Sequence, residues 1–292
     1  MEGSFTSEYL LPGTLALIML GMGLSLTIHD FKNILHHPKG LITGLVCQII
    51  FLPLIAFGIA SVFNLSNELK VGMVIIAACP GGATSNLITH LLRGRLALSI
   101  SLTAFNSFIT IITIPVILNL SLIYFMGTST ELQMPVLQTV IRIFFITIVP
   151  TSLGMLIRRY RKNLAKASER PLRYVMPVLL GIVFTVAIIG QKQENPPGFT
   201  DIYLKVIPPA LLLNVAGMLF GYFSGYLIKL GKANKLTLSI EVGIQNSALA
   251  ITIASSAIFL HNYTMAIPAV VYGLFTFFNA LLIGYILKKV SK

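Results

Sequence analysis

Hydrophobic and polar positions along this chain fall in blocks: long apolar runs are separated by short polar connections. A helix needs about 20 apolar residues to cross the hydrocarbon core of a bilayer. By that rule nine spans are expected, at residues 9–28, 40–63, 70–91, 96–124, 134–157, 174–190, 202–228, 236–259 and 266–287. The expected fold class is an all-α polytopic membrane protein, with residues 1–292 forming a single integral membrane domain. No connection between spans is long enough to hold a separate soluble domain. The opening "MEGSFTSEYL" is too short and too polar to read as a signal peptide.

Composition agrees with the blocks. Apolar residues make up 55% of the chain and Asp, Glu, Lys and Arg only 10%, more apolar surface than a soluble domain can hide. Trp is absent, so aromatic anchoring at the membrane interfaces falls to Tyr and Phe. Cys47 and Cys79 both lie inside apolar runs and read as small core residues, not as a disulfide or a metal site.

The net charge of +12 would suggest nucleic acid in a soluble protein, but its distribution gives another cause. Connections after the odd-numbered spans, together with the C-terminal tail, hold 17 of the 21 basic residues, seven of them between Arg158 and Arg173. Lys and Arg concentrate on the cytoplasmic side of membrane proteins. The N-terminus is therefore expected outside and the C-terminus in the cytoplasm of a plasma (inner) membrane protein, with the lipid bilayer as partner and no nucleic acid.

Two spans depart from plain apolarity. In "AACPGGATSNLITHLL", Pro80, Gly81 and Gly82 stand in mid-span, followed by Thr84, Ser85 and Asn86. Proline removes a backbone donor and glycine relaxes the helix, so this span is expected to be unwound near its centre. Irregular backbone at that depth is tolerated only where protein or a water-filled cavity covers it. In "LTLSIEVGIQNSALAITIASS", residues 236–256, the polar group is Glu241, Gln245, Asn246 and Ser247. Each span is followed by one carrying Thr-x-Phe-Asn, "LTAFNSFITI" and "LFTFFNALLI". With the expected topology, 70–91 enters from outside and 236–259 from inside. That is the pattern of an inverted repeat, which in transporters places the binding site where the broken helices meet.

Glu241 alone among nine acidic residues lies well inside a span. Its burial costs at least a few kcal/mol unless a basic partner, a proton or a metal ion compensates it. Arg142 is embedded in a span too, but near its end, where it can snorkel. Carboxylate, carboxamide, hydroxyl and freed backbone oxygens suit a hard monovalent cation such as Na⁺, whereas thiolate or imidazole ligands at transition-metal spacing are lacking. On a continuous helix Glu241 and Gln245 share a face. Ser99 and Thr103 repeat that spacing, and from the residues alone they fit either ligands or hydroxyls bonded to a backbone carbonyl or a neighbouring helix. Gln48, isolated in "LVCQIIF", is open in the same way, as ligand or as interhelical glue.

"CPGGATSN" and "EVGIQNSALA" closely resemble the crossing-helix motifs of the bile acid:sodium symporter (BASS) family, and "MLGMGLSLTIHDFKNILHHPKG" resembles a further family segment. The resemblance covers essentially the whole chain. It implies a core domain (helices at roughly 40–124 and 202–287), a panel domain (roughly 9–28 and 134–190), and two broken helices that cross. It also implies two sodium sites: one of Ser85, Asn86, Ser99, Thr103 and Glu241, the other of Gln48, Glu241 and Gln245 with the carbonyls of Val242 and Ile244. On the substrate side it implies Asn246 and Asn279, with Ala83 and Thr84 of the first motif. Ala83 stands where the bile-acid-binding bacterial members have Thr, and Phe278 where they have His, so the substrate stays open. The nine-span layout resembles that of the animal carriers.

Taken together, the expectation is a sodium-coupled symporter of an organic anion, a bile acid or small carboxylate, working by alternating access. It needs no organic cofactor, uses two Na⁺ as coupling ions and acts as a monomer. The alternative is a proton-coupled organic anion exporter with Glu241 as proton carrier. An enzyme is not expected, because no nucleophile–base pair stands at useful spacing and His90 lies near a span end.

Overall fold

In the computed structural model, helix is the regular structure throughout the described residues, which are 6–27, 38–127, 135–194 and 199–290. Ser4 and residues 28–37, which carry much of the third resembling segment, lie outside them. The helices are α1 (Leu11–Ser25), α2 (Pro38–Val62), α3 (Asn67–Ala78), α4 (Ala83–Leu91) and α5 (Leu96–Met126). They continue as α6 (Val136–Tyr160), α7 (Lys162–Glu194), α8 (Phe199–Leu227), α9 (Lys232–Gly243), α10 (Ser247–Ser255) and α11 (Ile267–Val290).

Seven helical stretches among the described residues are long and apolar enough to cross a membrane, with α9 and α10 together making one of them. The α3–α4 pair is interrupted, and α7 holds a shorter apolar stretch, Tyr174–Ile189. The chain is a multi-pass membrane protein. Large apolar side chains such as Leu54, Ile112, Leu153 and Phe223 are exposed, as lipid-facing positions should be.

Prolines shape the helices that they enter. Wide π-helical turns at Thr6–Leu10, Cys47–Phe51 and Phe144–Ile148 are each followed, two residues on, by a proline: Pro12, Pro53 and Pro150. Proline lacks the N–H that would bond four residues back and its ring crowds that carbonyl, and a widened turn accommodates both effects. Gln48 lies in the second of these turns.

The connection expected at 158–173 is mostly helical. α6 runs to Tyr160 and α7 begins at Lys162, so Pro171 falls inside α7. A rule based on unbroken apolarity finds only the membrane-buried part of such a helix.

Close backbone approach organises the packing. α1 packs on α6 and α7, and a Cβ at Gly23 or Gly154 would meet main-chain atoms of the opposing helix. α8 packs on α9 and α11. Its glycines at 217, 221 and 225 recur every four residues and face α9, where added Cβ atoms would crowd Val242 O, Leu238 O and Lys235. Such small-residue stripes let membrane helices touch backbone to backbone. Residues 236–256 are buried without exception, so the interrupted α9–α10 span is lined by protein and not by lipid.

Candidate functional site

Two interruptions meet at the centre. The first, Cys79–Gly82, separates α3 from α4, and the second, Ile244–Asn246, separates α9 from α10. The amide of Asn246 donates to the Pro80 carbonyl at 2.8 Å, joining one break to the other through the main chain. Pro80 and the glycines account for the first break. The second has no proline. There Gly243 is the last residue of α9, and the Asn246 side chain starts α10 by accepting from Leu249 N at 3.0 Å.

The broken end of α9 is held from both sides. Its final carbonyl, Gly243 O, accepts from Asn214 Nδ2 at 2.6 Å, Tyr272 Oη at 2.7 Å and Thr276 Oγ1 at 3.3 Å. These groups from α8 and α11 supply partners that a helix C-terminus lacks. Two residues earlier, Gln48 Nε2 donates to Glu241 O at 2.7 Å.

Glu241 is fully buried, and hydroxyls face both carboxylate oxygens. Ser99 Oγ donates to Oε1, and Thr103 Oγ1 donates to Oε2 at 3.0 Å. Ser99 and Thr103 thus turn their shared face of α5 toward the Glu241 carboxylate, and Ser85 Oγ lies 3.5 Å from Thr103 Oγ1. Ser99 Oγ also lies 2.7 Å from Asn86 Oδ1 and 3.3 Å from Thr89 Oγ1. A hydroxyl has one proton to donate, so Asn86 Oδ1 and Glu241 Oε1 compete for it. Gly81 has no side chain for a reason: a Cβ there would stand 3.1 Å from Glu241 Oε2. The cluster is rich in oxygen and poor in protons, and Ser85, Ser99, Thr103 and Glu241 are buried. Its residues suit a hard monovalent cation, which would relieve that competition.

The fold therefore brings Ser85, Asn86, Ser99, Thr103 and Glu241 together, and puts Gln48 on the Glu241 main chain. The shared helical face expected for Glu241 and Gln245 does not exist, because α9 ends between them. Gln245 instead lies in the break, where its Nε2 donates to Val242 O at 2.8 Å. Its Oε1 is buried with no hydrogen-bond partner among the described residues, an acceptor available to a cation. Ile244 lies in the same break, its N–H bonded to Ile240 O at 2.9 Å.

On the substrate side, Asn246 is buried with its oxygen committed to the α10 cap. Asn279 is half-buried, and its Nδ2 lacks a partner among the described residues. Thr84 is half-buried in the first turn of α4, Phe278 is exposed, and the Ala83 side chain lies outside the described ones. Sequence reasoning missed Thr89, Asn106, Asn214, Tyr272 and Thr276. Asn106 and Thr276 stood in the repeated Thr-x-Phe-Asn pattern, whereas the other three sit singly in helices and carried no signal.

The model of the Sodium Bile acid symporter family matches residues 12–228. The chain belongs to that family. Among relatives of this symporter-family chain, the probable sodium/metabolite cotransporter BASS1, chloroplastic, of Arabidopsis thaliana is 33% identical over 261 residues, covering 88% of this chain and 61% of the relative. The uncharacterized sodium-dependent transporter YocS of Bacillus subtilis is 30% identical over 284 residues, covering 95% of this chain and 83% of the relative. Sodium/bile acid cotransporter 4 of Mus musculus is 28% identical, and the match spans 55% of its length. The chain thus spans about three fifths of the length of the chloroplast relative and more than half of the mouse one. These symporter-family relatives are named as transporters, not as enzymes.

Proposed function

We propose that this protein is a sodium-coupled secondary transporter of an organic anion, moving substrate and Na⁺ together by alternating access. The observation that carries this reading is the proton-poor oxygen cluster around Glu241: a fully buried carboxylate at the junction of two broken helices, faced by hydroxyls. Burial of a carboxylate at membrane depth is costly, and a bound cation offsets that cost. Ser85, Asn86, Ser99, Thr103 and Glu241 hold one Na⁺. Gln48, Glu241 and Gln245, with the Val242 and Ile244 carbonyls, hold a second. The unpaired Gln245 oxygen supports the second assignment. Glu241 serves both ions, so each cation lowers the cost of the carboxylate that attracts the other.

The substrate is an organic anion, a bile acid or a small carboxylate. Asn246, Asn279, Thr84 and Ala83 face it, and the unpaired Asn279 Nδ2 is a donor of the kind that a carboxylate needs. The N-termini of α4 and α10 at the junction add donors and favourable dipoles.

Nine spans place the N-terminus outside and the C-terminus in the cytoplasm. α1, α6 and α7, which pack on one another, form the panel, and the remaining helices form the core. The two halves are inverted repeats, and the protein works as a monomer in the plasma membrane.

Uptake of a carboxylate panel into proteoliposomes tests this, with a Na⁺ gradient replaced by choline in one arm and by a pH gradient in the other. Uptake is expected only with Na⁺. Uptake driven by the pH gradient in choline would overturn the sodium reading in favour of a proton carrier at Glu241.

A further inference from the structure

Gln48 and Asn106 form a buried carboxamide pair beside Glu241. Asn106 Nδ2 donates to Gln48 Oε1 at 3.0 Å, and Gln48 Nε2 donates to Glu241 O at 2.7 Å. The two residues are 2% and 1% exposed, so water does not compete for these bonds. Gln48 reaches this place from the wide turn that precedes Pro53, and Asn106 from α5, one turn beyond Thr103.

The polarity of a carboxamide is fixed: its oxygen accepts and its nitrogen donates. In this arrangement both ends of Gln48 are spoken for. Its nitrogen faces the Glu241 carbonyl, and its oxygen, the only side-chain atom it could offer a cation, accepts from Asn106. An amide oxygen has two lone pairs, but here Oε1 lies on the Asn106 side while the nitrogen faces Glu241, so to meet an ion beside Glu241 it has to turn away from the Asn106 donor.

Asn106, like Gln245, leaves its side-chain oxygen unsatisfied. Its Oδ1 is buried and has no hydrogen-bond partner among the described residues. A buried acceptor without a donor is destabilising, and an apolar residue of similar shape would avoid that cost. Rotating the Asn106 amide to rescue the oxygen would remove the donor from Gln48. The side chain therefore keeps one unfavourable atom in place while its other end holds Gln48 Oε1. The hydrogen bond that the side chain does make goes to Gln48.

We propose that Asn106 is a positioning residue that competes with Na⁺ for the Gln48 oxygen, weakening the second ion site so that its ion is released readily. The proposal rests on the sodium reading above. Binding at that site includes breaking the Asn106–Gln48 bond, and that cost is returned when the ion leaves. A symporter gains from this arrangement, because an ion held too tightly on the inner side stalls the return of the carrier.

The test is calorimetric titration of Na⁺ into purified protein, with choline holding ionic strength constant, for the parent, Asn106→Ala, Gln48→Ala and the double variant. Asn106→Leu, which refills the space, stands in if the alanine variant does not fold. Removing the Asn106 donor is expected to tighten Na⁺ binding about tenfold, the equivalent of one released hydrogen bond. In proteoliposomes the same variant is expected to reach half-maximal uptake at lower Na⁺ with a lower maximal rate, a split that mere loss of packing does not produce. In the Gln48→Ala background the substitution at 106 is expected to have no further effect on Na⁺ affinity. Unchanged or weaker Na⁺ binding in Asn106→Ala would overturn the proposal, because Asn106 would then follow Gln48 and not restrain it. An equal tightening without Gln48 would overturn it as well. If the parent itself binds no Na⁺, the sodium reading fails first and this proposal with it.

Discussion

The main-chain amide of Asn246 bonds the Pro80 carbonyl at 2.8 Å, so the two interrupted spans are fastened to each other where neither is helical. Backbone groups freed by a break need partners at membrane depth. Here each break supplies one for the other. The geometry of the oxygen cluster consequently depends on both halves of the chain, since Ser85 and Asn86 follow one break and Glu241 precedes the other.

Glu241→Ala is expected to abolish sodium-driven uptake while the protein still reaches the membrane. The substitution removes the carboxylate from the cluster and leaves only the neutral hydroxyls of Ser99 and Thr103. Proteoliposome uptake with and without Na⁺, alongside the yield of membrane-inserted protein, checks this. Normal sodium-dependent uptake by the variant would remove Glu241 from the coupling site.

The adjacent glycines of the first break should respond differently to substitution. A Cβ at Gly81 would stand 3.1 Å from Glu241 Oε2 and 3.6 Å from Gln48 Nε2, whereas nothing lies within 4 Å of one at Gly82. Gly82 is extended, with φ −129° and ψ −179°, a conformation open to any residue. Gly81→Val is therefore expected to lower Na⁺ affinity at least tenfold, and Gly82→Ala to leave it within about twofold. Sodium-dependent thermal stabilisation of the two purified variants provides the comparison.

Gln245 and Asn246 are neighbours in sequence to which the proposed function gives separate duties. Gln245→Ala is expected to weaken sodium dependence roughly tenfold by removing a buried ligand oxygen. Asn246→Ala should act on substrate affinity instead, and should also cost about 1 kcal/mol of stability because its oxygen caps α10. Titrating Na⁺ at saturating substrate, and substrate at saturating Na⁺, separates the effects despite thermodynamic coupling. Identical profiles for the two variants would refute the division.

Orientation is testable with single cysteines at Ser4 and Ser168. The native Cys47 and Cys79 are buried, which keeps background labelling low. Ser4 is expected to react with an impermeant maleimide from outside the cell and Ser168 only after the membrane is opened. Labelling of both from one side would rule out the nine-span topology.

Much of this was legible in the chain because the membrane imposes a length and polarity rule on every span. The Pro80-Gly81-Gly82 break announced itself, since no continuous helix accommodates that sequence readily. The second break was expected only through the family resemblance and not from its own residues. Gly243 is its lone sequence marker, and the interruption is held open by Asn214, Tyr272 and Thr276, which come from distant helices. Reading Glu241 and Gln245 as one helical face was the consequence. Ser99 and Thr103 were ambiguous for a related reason: a hydroxyl in a membrane helix has a local carbonyl always within reach, and only the tertiary fold reveals a remote carboxylate as its partner. The Asn106–Gln48 pair joins residues 58 positions apart and has no periodicity by which sequence could expose it.

A ribosome feeding this chain into the bilayer delivers residues 236–256 before it delivers α11. Alone in lipid, that segment would carry Glu241, Gln245 and Asn246 at a penalty on the order of several kcal/mol. The helices that receive them, α2, α5 and the glycine-striped α8, have by then been synthesised, so the segment can enter a groove already lined with polar partners. Tyr272 and Thr276 arrive last and complete the grip on Gly243. A chain truncated before Ile267 would have its costliest segment inserted but never sealed, and it should be cleared by membrane quality control instead of persisting as a smaller carrier.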